Sequence, residues 1–305
     1  MPLDLNRRQW LAAAGSAWLG AGAIQSLQAR PAAPVKKVLF FSKSAGYQHS
    51  VITQKAGAPS VAQTVLESIG EKHGFEVESS KDGRLFDPKL IGKWDAFVFE
   101  TTGDLTTPGT DRHPPLTADG EKALYDAIHA GKGFIGMHCA TDTFGHHGER
   151  NKGADDPYIQ LIGGEFYSHA AQQEVEIEIV DPKFPGVAEG FGASGSSFRI
   201  KDEWYALKSL ADDLHVIFAH NTKGMVGREY QRPNFPETWA RAFGKGRVFY
   251  TSMGHREDVF ENAMFQALLL GALGWATGRL DADITPNVSK ATPGYKQLPA
   301  YLTAK

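Results

Sequence analysis

The chain has 305 residues, 42% of them hydrophobic and 22% charged, with a formal net charge of −3. That is a globular composition with enough chain to bury a sizeable core, and without a basic stripe interleaved with aromatics it excludes a nucleic-acid-binding surface. The single cysteine, Cys139, excludes an intramolecular disulfide and cysteine-rich zinc sites, so any metal must be held by His, Asp or Glu.

Arg7-Arg8 precede a mildly apolar, Ala/Gly-rich run from Leu11 to Ile24, the twin-arginine export pattern. At 14 residues the run falls short of the ~20 that span a bilayer. Residues 1–33 are therefore expected to be a signal peptide, cut after Ala29 or Ala33, and the mature protein to be periplasmic or otherwise exported, with no membrane span. A domain over 34–280 and a Pro- and Lys-containing tail over 281–305 are expected to follow.

Val38 to Ser42 is a short apolar run of the kind that forms a buried parallel strand. Apolar residues at Val61, Val65, Leu66 and Ile69 predict a helix from Ala58 to His73, ended by Gly74. Strands are predicted at Phe75–Glu78 and Trp94–Phe99. A helix follows from Thr117, a candidate N-cap, to Ala130, stopped by Gly131. Gly133 to His138 is the next strand. Residues 143–172 read as loop. Strands are then predicted at Val175–Val180, Phe198–Leu207, His215–His220 and Arg247–Ser252, with Arg228–Tyr230 a weaker candidate. A long apolar helix runs from Phe260 to Thr277. Alternating strands and helices predict a parallel sheet with helices on both faces, with some antiparallel strands in the second half. Ligands of such sheets bind beyond the carboxyl ends of the strands.

Residues able to do chemistry fall at that edge. His138 and His255 each follow an apolar strand, His49 lies in the loop after the first, and His169 follows Gly163-Gly164-Glu165-Phe166. Glu100 closes the third strand, and Asp142 lies in the turn four residues after His138. Glu203 is expected inside the strand Phe198–Leu207, where an apolar flank would raise its pKa. A carboxylate among imidazoles can serve as a general base or a metal ligand. Two arrangements stay open: a His/carboxylate metal site with an open position, with His138 and His169 as ligands and zinc as a suitable divalent ion, or metal-free acid–base work by His138. The pair His146-His147 ranks second as a metal tract. Gly136 to Ala140 has the form of a nucleophile elbow, but the residue at the turn is His138, leaving Cys139 as a packed, inert thiol.

Six pieces taken together resemble the trehalose-utilisation (ThuA-like) family: Ser44–Ser50, Gly133–Asp142, Gly163–Phe166 with His169, Asp202–Tyr205, Pro236–Arg241 and Gly244–His255. They run in order over nearly the whole mature chain. The resemblance implies a flavodoxin-like, class I glutamine amidotransferase-like α/β fold, a three-layer sandwich, with His138 at the position of the amidotransferase cysteine, so amidotransferase activity is not implied. It also implies a small-molecule sugar as substrate, an oxidised 3-keto glycoside or disaccharide made by a partner sugar oxidoreductase, and lyase, isomerase or hydrolase chemistry. In this reading His138, Glu203, His49 and His255 are catalytic. Tyr47, Glu100, Asp142, Phe166, Trp204, Tyr205 and Trp239 bind the sugar. Two alternatives are a non-catalytic carbohydrate-binding partner of a sugar dehydrogenase and a metal-dependent hydrolase of an unrelated substrate.

Overall fold

The computed structural model describes residues 35–144, 153–192 and 196–303. The expected signal peptide and the pair His146-His147 lie outside the described residues. In chain order the elements are β1 (Lys36–Phe41), α1 (Val61–His73), β2 (Phe75–Ser80), β3 (Ala96–Phe99), α2 (Ala118–His129), β4 (Gly133–Met137), α3 (Pro157–Ile162), β5 (Glu165–His169), β6 (Gln173–Ile179), α4 (Val187–Phe191), β7 (Ser197–Asp202), β8 (Tyr205–Lys208), β9 (His215–His220), β10 (Phe235–Phe243), β11 (Gly246–Thr251), α5 (Glu257–Glu261), α6 (Ala263–Ala276), α7 (Val288–Ala291) and α8 (Ala300–Thr303).

Nine strands form one mixed sheet in the order β2-β1-β3-β4-β11-β10-β9-β6-β7, and β5 pairs with β8 in a separate two-stranded sheet. The first five are parallel, with Val38 opposite Val77 and Ala96, and Phe134 opposite Phe97 and Val248. Their apolar runs are continuous because helices cover both faces: β3 and β4 are buried throughout. Helices α1, α4, α5 and α6 pack against one another, as α2 does against α3. β10, β9, β6 and β7 continue the sheet antiparallel.

Local signals set the helix ends. The Ser60 hydroxyl accepts from the Gln63 amide at 3.3 Å, and Thr117 caps α2 through Gly120 at 3.0 Å. Gly74 ends α1 with φ +74°, a left-handed conformation that a Cβ would disfavour.

Six expectations are corrected. The single strand Phe198–Leu207 is two strands in different sheets, with Glu203 and Trp204 at the corner between them. There the Asp202 carboxylate accepts from the Glu203 amide and turns the chain. Arg228–Tyr230 is a 3-10 turn rather than a strand. The apolar helix Phe260–Thr277 breaks at Asn262, whose side chain caps α6 by accepting from Met264 N at 2.9 Å. The stretch 143–172 contains α3, capped by Asp156 and opened by Pro157, and the strand β5. β10 had no strand signal, since Pro236, Glu237, Thr238 and Arg241 interrupt it, yet it is almost wholly buried. The segment after Asp281 is docked rather than free: Val288, Thr292 and Tyr295 are buried.

Candidate active site

Because β1, β3, β4 and β11 run parallel, the loops that leave them open on one edge of the sheet. The loop after β1 carries His49, that after β3 carries Glu100 and Thr102, the turn after β4 begins at His138, and His255 follows β11. Glu203 reaches the same place from the β7–β8 corner. The rings of His49, His138 and His255 form a nearly equilateral triangle, with centroids 5.0, 5.1 and 5.1 Å apart and mutually steep planes. Glu203 Oε2 lies 3.1 Å from His255 Nδ1 and 3.6 Å from His138 Nε2, and His255 Nδ1 is 3.2 Å from His138 Nε2. One ligand-capable atom from each of the four residues falls within 4.8 Å of the others.

The supports of this cluster are built into the backbone. His138 has φ +39°, an uncommon left-handed value for a residue with a Cβ. The conformation is held from three sides. His138 Nδ1 donates to the Ser252 carbonyl at 3.0 Å, the Tyr250 hydroxyl donates to the His138 carbonyl at 2.8 Å, and Tyr205 packs on the imidazole at a centroid distance of 4.1 Å. Donation from Nδ1 leaves Nε2 as the unprotonated nitrogen, facing the cluster. Glu237, fully buried on β10, accepts from the amides of Ser252 and Met253 and from the Ser252 hydroxyl at 2.8–3.1 Å. It thereby fixes the turn whose carbonyl orients His138. Asp202 accepts from Glu203 N at 2.9 Å and from Gly254 N at 2.8 Å. Gly254 has φ +120°, a value that only glycine adopts readily, so the clamp sets Glu203 and His255 together. Glu237 was missed by sequence reading. A charged residue between a proline and a threonine gives no burial signal.

The charges differ sharply from group to group. Burial, reinforced by the neighbouring imidazoles, lowers the His49 pKa to about 2, so His49 stays neutral. Burial also lowers His138, outweighing the Glu203 contact. At His255 burial acts downward too, but the Glu203 carboxylate more than offsets it and raises the pKa. Glu203 itself is corrected. Burial raises a carboxyl, yet the neighbouring imidazoles of His138 and His255 outweigh it and hold Glu203 well below the usual carboxylate range. The cleft-lining carboxylate that is raised is instead Asp142, which burial pushes up to about 7.

The cluster floors a cleft of about 430 Å³ lined by Tyr47, His49, Thr102, Asp142, Phe166, His169, Gln172, Glu203, Tyr205 and His255. Tyr47 is 70% exposed at the rim, and Phe166 and Tyr205 pack with centroids 4.0 Å apart and planes tilted by 33° on the wall. Another groove of about 470 Å³, past Arg241 and Lys296, has none of these four residues in its lining.

Three sugar-contact expectations do not fit. Trp204 and Trp239 are fully buried, their indole N–H groups spent on the carbonyls of Gln173 and Ile162. Glu100 is fully buried behind the cleft, accepting from the Cys139 thiol at 3.3 Å. That bond and the burial, which raises its pKa, leave Cys139 an inert thiol. His169 also moves outward. It is outside the four-residue cluster, with a side chain 41% exposed, Nδ1 3.0 Å from the Ala170 carbonyl and 3.5 Å from Glu203 Oε1. Thr102 and Gln172 are lining residues that the sequence did not single out.

The fold recurs in solved structures. A ThuA-like protein from Bacteroides uniformis superposes with a TM-score of 0.59 at 19% identity, covering 81% of this chain and 93% of that one. One from Parabacteroides merdae gives 0.57 at 17%, covering 87% and 97%. A cytoplasmic protein from Salmonella typhimurium gives 0.51 at 13%, covering 79% and 99%. No curated protein matches the sequence significantly. The family model described as "ThuA: Trehalose utilisation" matches residues 37–276, a span running from β1 to the end of α6 and including all four cluster residues, and the chain therefore belongs to the ThuA family.

Proposed function

We propose that the protein is an exported enzyme of sugar catabolism that acts on a 3-keto glycoside or disaccharide by moving the proton beside the ketone. The observation that carries this reading is the convergence of three imidazoles and Glu203 on the floor of a cleft whose lining also includes Asp142 and the rings of Tyr47, Phe166 and Tyr205. The family's link to trehalose utilisation supports a sugar. Aromatic rings suit its apolar face, and the twin-arginine leader supports action outside the cytoplasm.

A ketone at C3 acidifies the C2–H bond. A carboxylate with a pKa near 7 is matched to removing that proton at neutral pH, and Asp142 has that property. As Asp142 takes the proton, the C–H electron pair becomes a C2=C3 bond and the carbonyl oxygen gains the negative charge. His255, whose pKa is raised by Glu203, is the group of the cluster suited to face that charge. Return of a proton to the opposite face of C2 completes an isomerisation, an epimerisation at C2. Alternatively the enolate reforms the ketone and expels the C1 oxygen substituent, which is protonated as it leaves, so the glycosidic bond is eliminated; addition of water to that product would complete a hydrolysis. The substrate must come from an oxidation of the C3 hydroxyl, hence from a sugar oxidoreductase.

The test is turnover of a 3-keto-disaccharide by His138→Ala. We expect a fall of about 10²–10³-fold or more with an unchanged circular dichroism spectrum. Full activity in the variant overturns the proposal. Calorimetric binding of the sugar by the wild type, with no product by mass spectrometry under any added metal, would replace it with a binding module.

A further inference from the structure

We infer that His49, His138, His255 and Glu203 form a binding site for one divalent transition-metal ion of the zinc class. Donors that share such an ion at 2.0–2.2 Å in tetrahedral geometry lie about 3.3 Å from one another. Three of the six separations in this cluster, at 3.1, 3.2 and 3.6 Å, have that value before any ion is placed there. The fourth donor, His49, is within 4.8 Å of the other three. It is 2% exposed, and its Nδ1 is buried with no hydrogen-bond partner among the described residues. A buried imidazole nitrogen without a partner is costly, and a small movement of the ring toward the cluster would bring a donor nitrogen to the tetrahedral spacing.

The His138 tautomer agrees with an ion. His138 spends its Nδ1–H on Ser252 and presents a lone pair at Nε2, the arrangement in which outer hydrogen bonds orient metal-bound histidines. A nitrogen of the His49 ring also lies within 4.8 Å of the Glu100 carboxyl, one oxygen of which is buried without a partner among the described residues. Three imidazoles and one carboxylate are borderline donors, which suit zinc, cobalt, iron or manganese rather than calcium or magnesium. One side of the cluster opens on the cleft, so a substrate oxygen can approach a bound ion.

The ion deepens the reading of this cleft as an active centre, and its readout is separate from turnover. The protein is stripped with a chelator, titrated with Co²⁺ and with Zn²⁺, and assayed by visible spectroscopy, calorimetry and elemental analysis. One Co²⁺ per chain with a ligand-field spectrum is expected. His138→Ala and His255→Gln should each weaken Zn²⁺ binding about 100-fold or more, by analogy with the 10–100-fold losses seen for outer-sphere partners alone. His169→Ala should stay within about threefold, since His169 lies outside the cluster. No stoichiometric binding of either metal by the wild type overturns the site. So does binding unchanged in both His138→Ala and His255→Gln, because the metal would then sit elsewhere. If the metal binds but no 3-keto sugar turns over, the sugar reading fails alone. An active protein without metal refutes only the ion.

Discussion

Two carboxylates on the same cleft are pushed in opposite directions. Glu203 is held ionised by the neighbouring imidazoles of His138 and His255 despite its burial, whereas burial raises Asp142 to about 7. Such a divergence is how one site separates an electrostatic anchor from a proton-transfer group. Burial penalises the charged form, so the Asp142 midpoint moves up from the ordinary value near 4. The base works ionised. In the proposed reaction kcat/KM should therefore rise about tenfold per pH unit below about 7 and level off above it. Asp142→Asn should lose about 10²–10⁴-fold in rate and, in whatever activity remains, lack that rise. A wild-type-like profile in Asp142→Asn would remove Asp142 from the mechanism.

Secondary elements show where the sequence speaks plainly and where it does not. Strands buried on both faces announce themselves as unbroken apolar runs, which is why β1, β3, β4 and β11 were legible and with them the edge that gathers His49, His138 and His255. Partnered polar residues erase the same signal. β10 is buried although Glu237, Thr238 and Arg241 lie along it, because Glu237 bonds the Ser252–Met253 turn and Arg241 bonds Asp213. The β7–β8 corner was invisible for a related reason. Only the contacts from Asp202 to Glu203 N and Gly254 N reveal that the chain turns there, and those partners are 52 residues apart for Gly254. Trp204 and Trp239 were misjudged because an aromatic residue beside a site motif looks alike whether it lines the cleft or backs it.

β9 carries a pH-sensitive tie of the same hidden kind. His215 Nδ1 donates to the Thr285 carbonyl at 2.8 Å and Nε2 to Asp181 at 3.0 Å, so both nitrogens act as donors and the ring is an imidazolium. Burial would lower the His215 pKa, but Asp181 and Thr285 outweigh it and raise it. A raised histidine pKa stabilises the fold fully below the unfolded value near 6.5, and the contribution fades as pH climbs through the folded value. His215→Ala should therefore cost about 1–2 kcal/mol at pH 6, the worth of hydrogen bonds to a charged group, and clearly less at pH 9. Urea unfolding at the two pH values measures it, and an equal loss at both would show that the ring acts by packing alone.

At the scale of the whole molecule the site is shared between two halves of one sheet. The parallel half delivers three histidines by the logic of strand ends. The antiparallel half folds back and delivers Glu203 through the β7–β8 corner, so neither half holds the cluster alone. The segment from Asp281 onward braces that second half, although its composition reads as a tail. Asn287 behaves as a strand partner for β9, accepting from Val216 N at 2.6 Å and donating to Val216 O at 3.1 Å. Val288 and Tyr295 bury their side chains, and Arg232 donates to the Tyr295 carbonyl. Two buried apolar side chains are worth about 1.5–3 kcal/mol each and the Asn287 bonds about 1 kcal/mol each. The sum, roughly 5–8 kcal/mol, is a large share of the 5–15 kcal/mol that typically holds a domain together. Deleting residues 281–305 should therefore lower the urea midpoint severely while leaving every cleft-lining residue in place. Whatever fraction remains folded at low temperature should bind ligand as the full chain does. An unchanged midpoint would mean that the segment is a free tail after all, and that β9 and β10 stand without it.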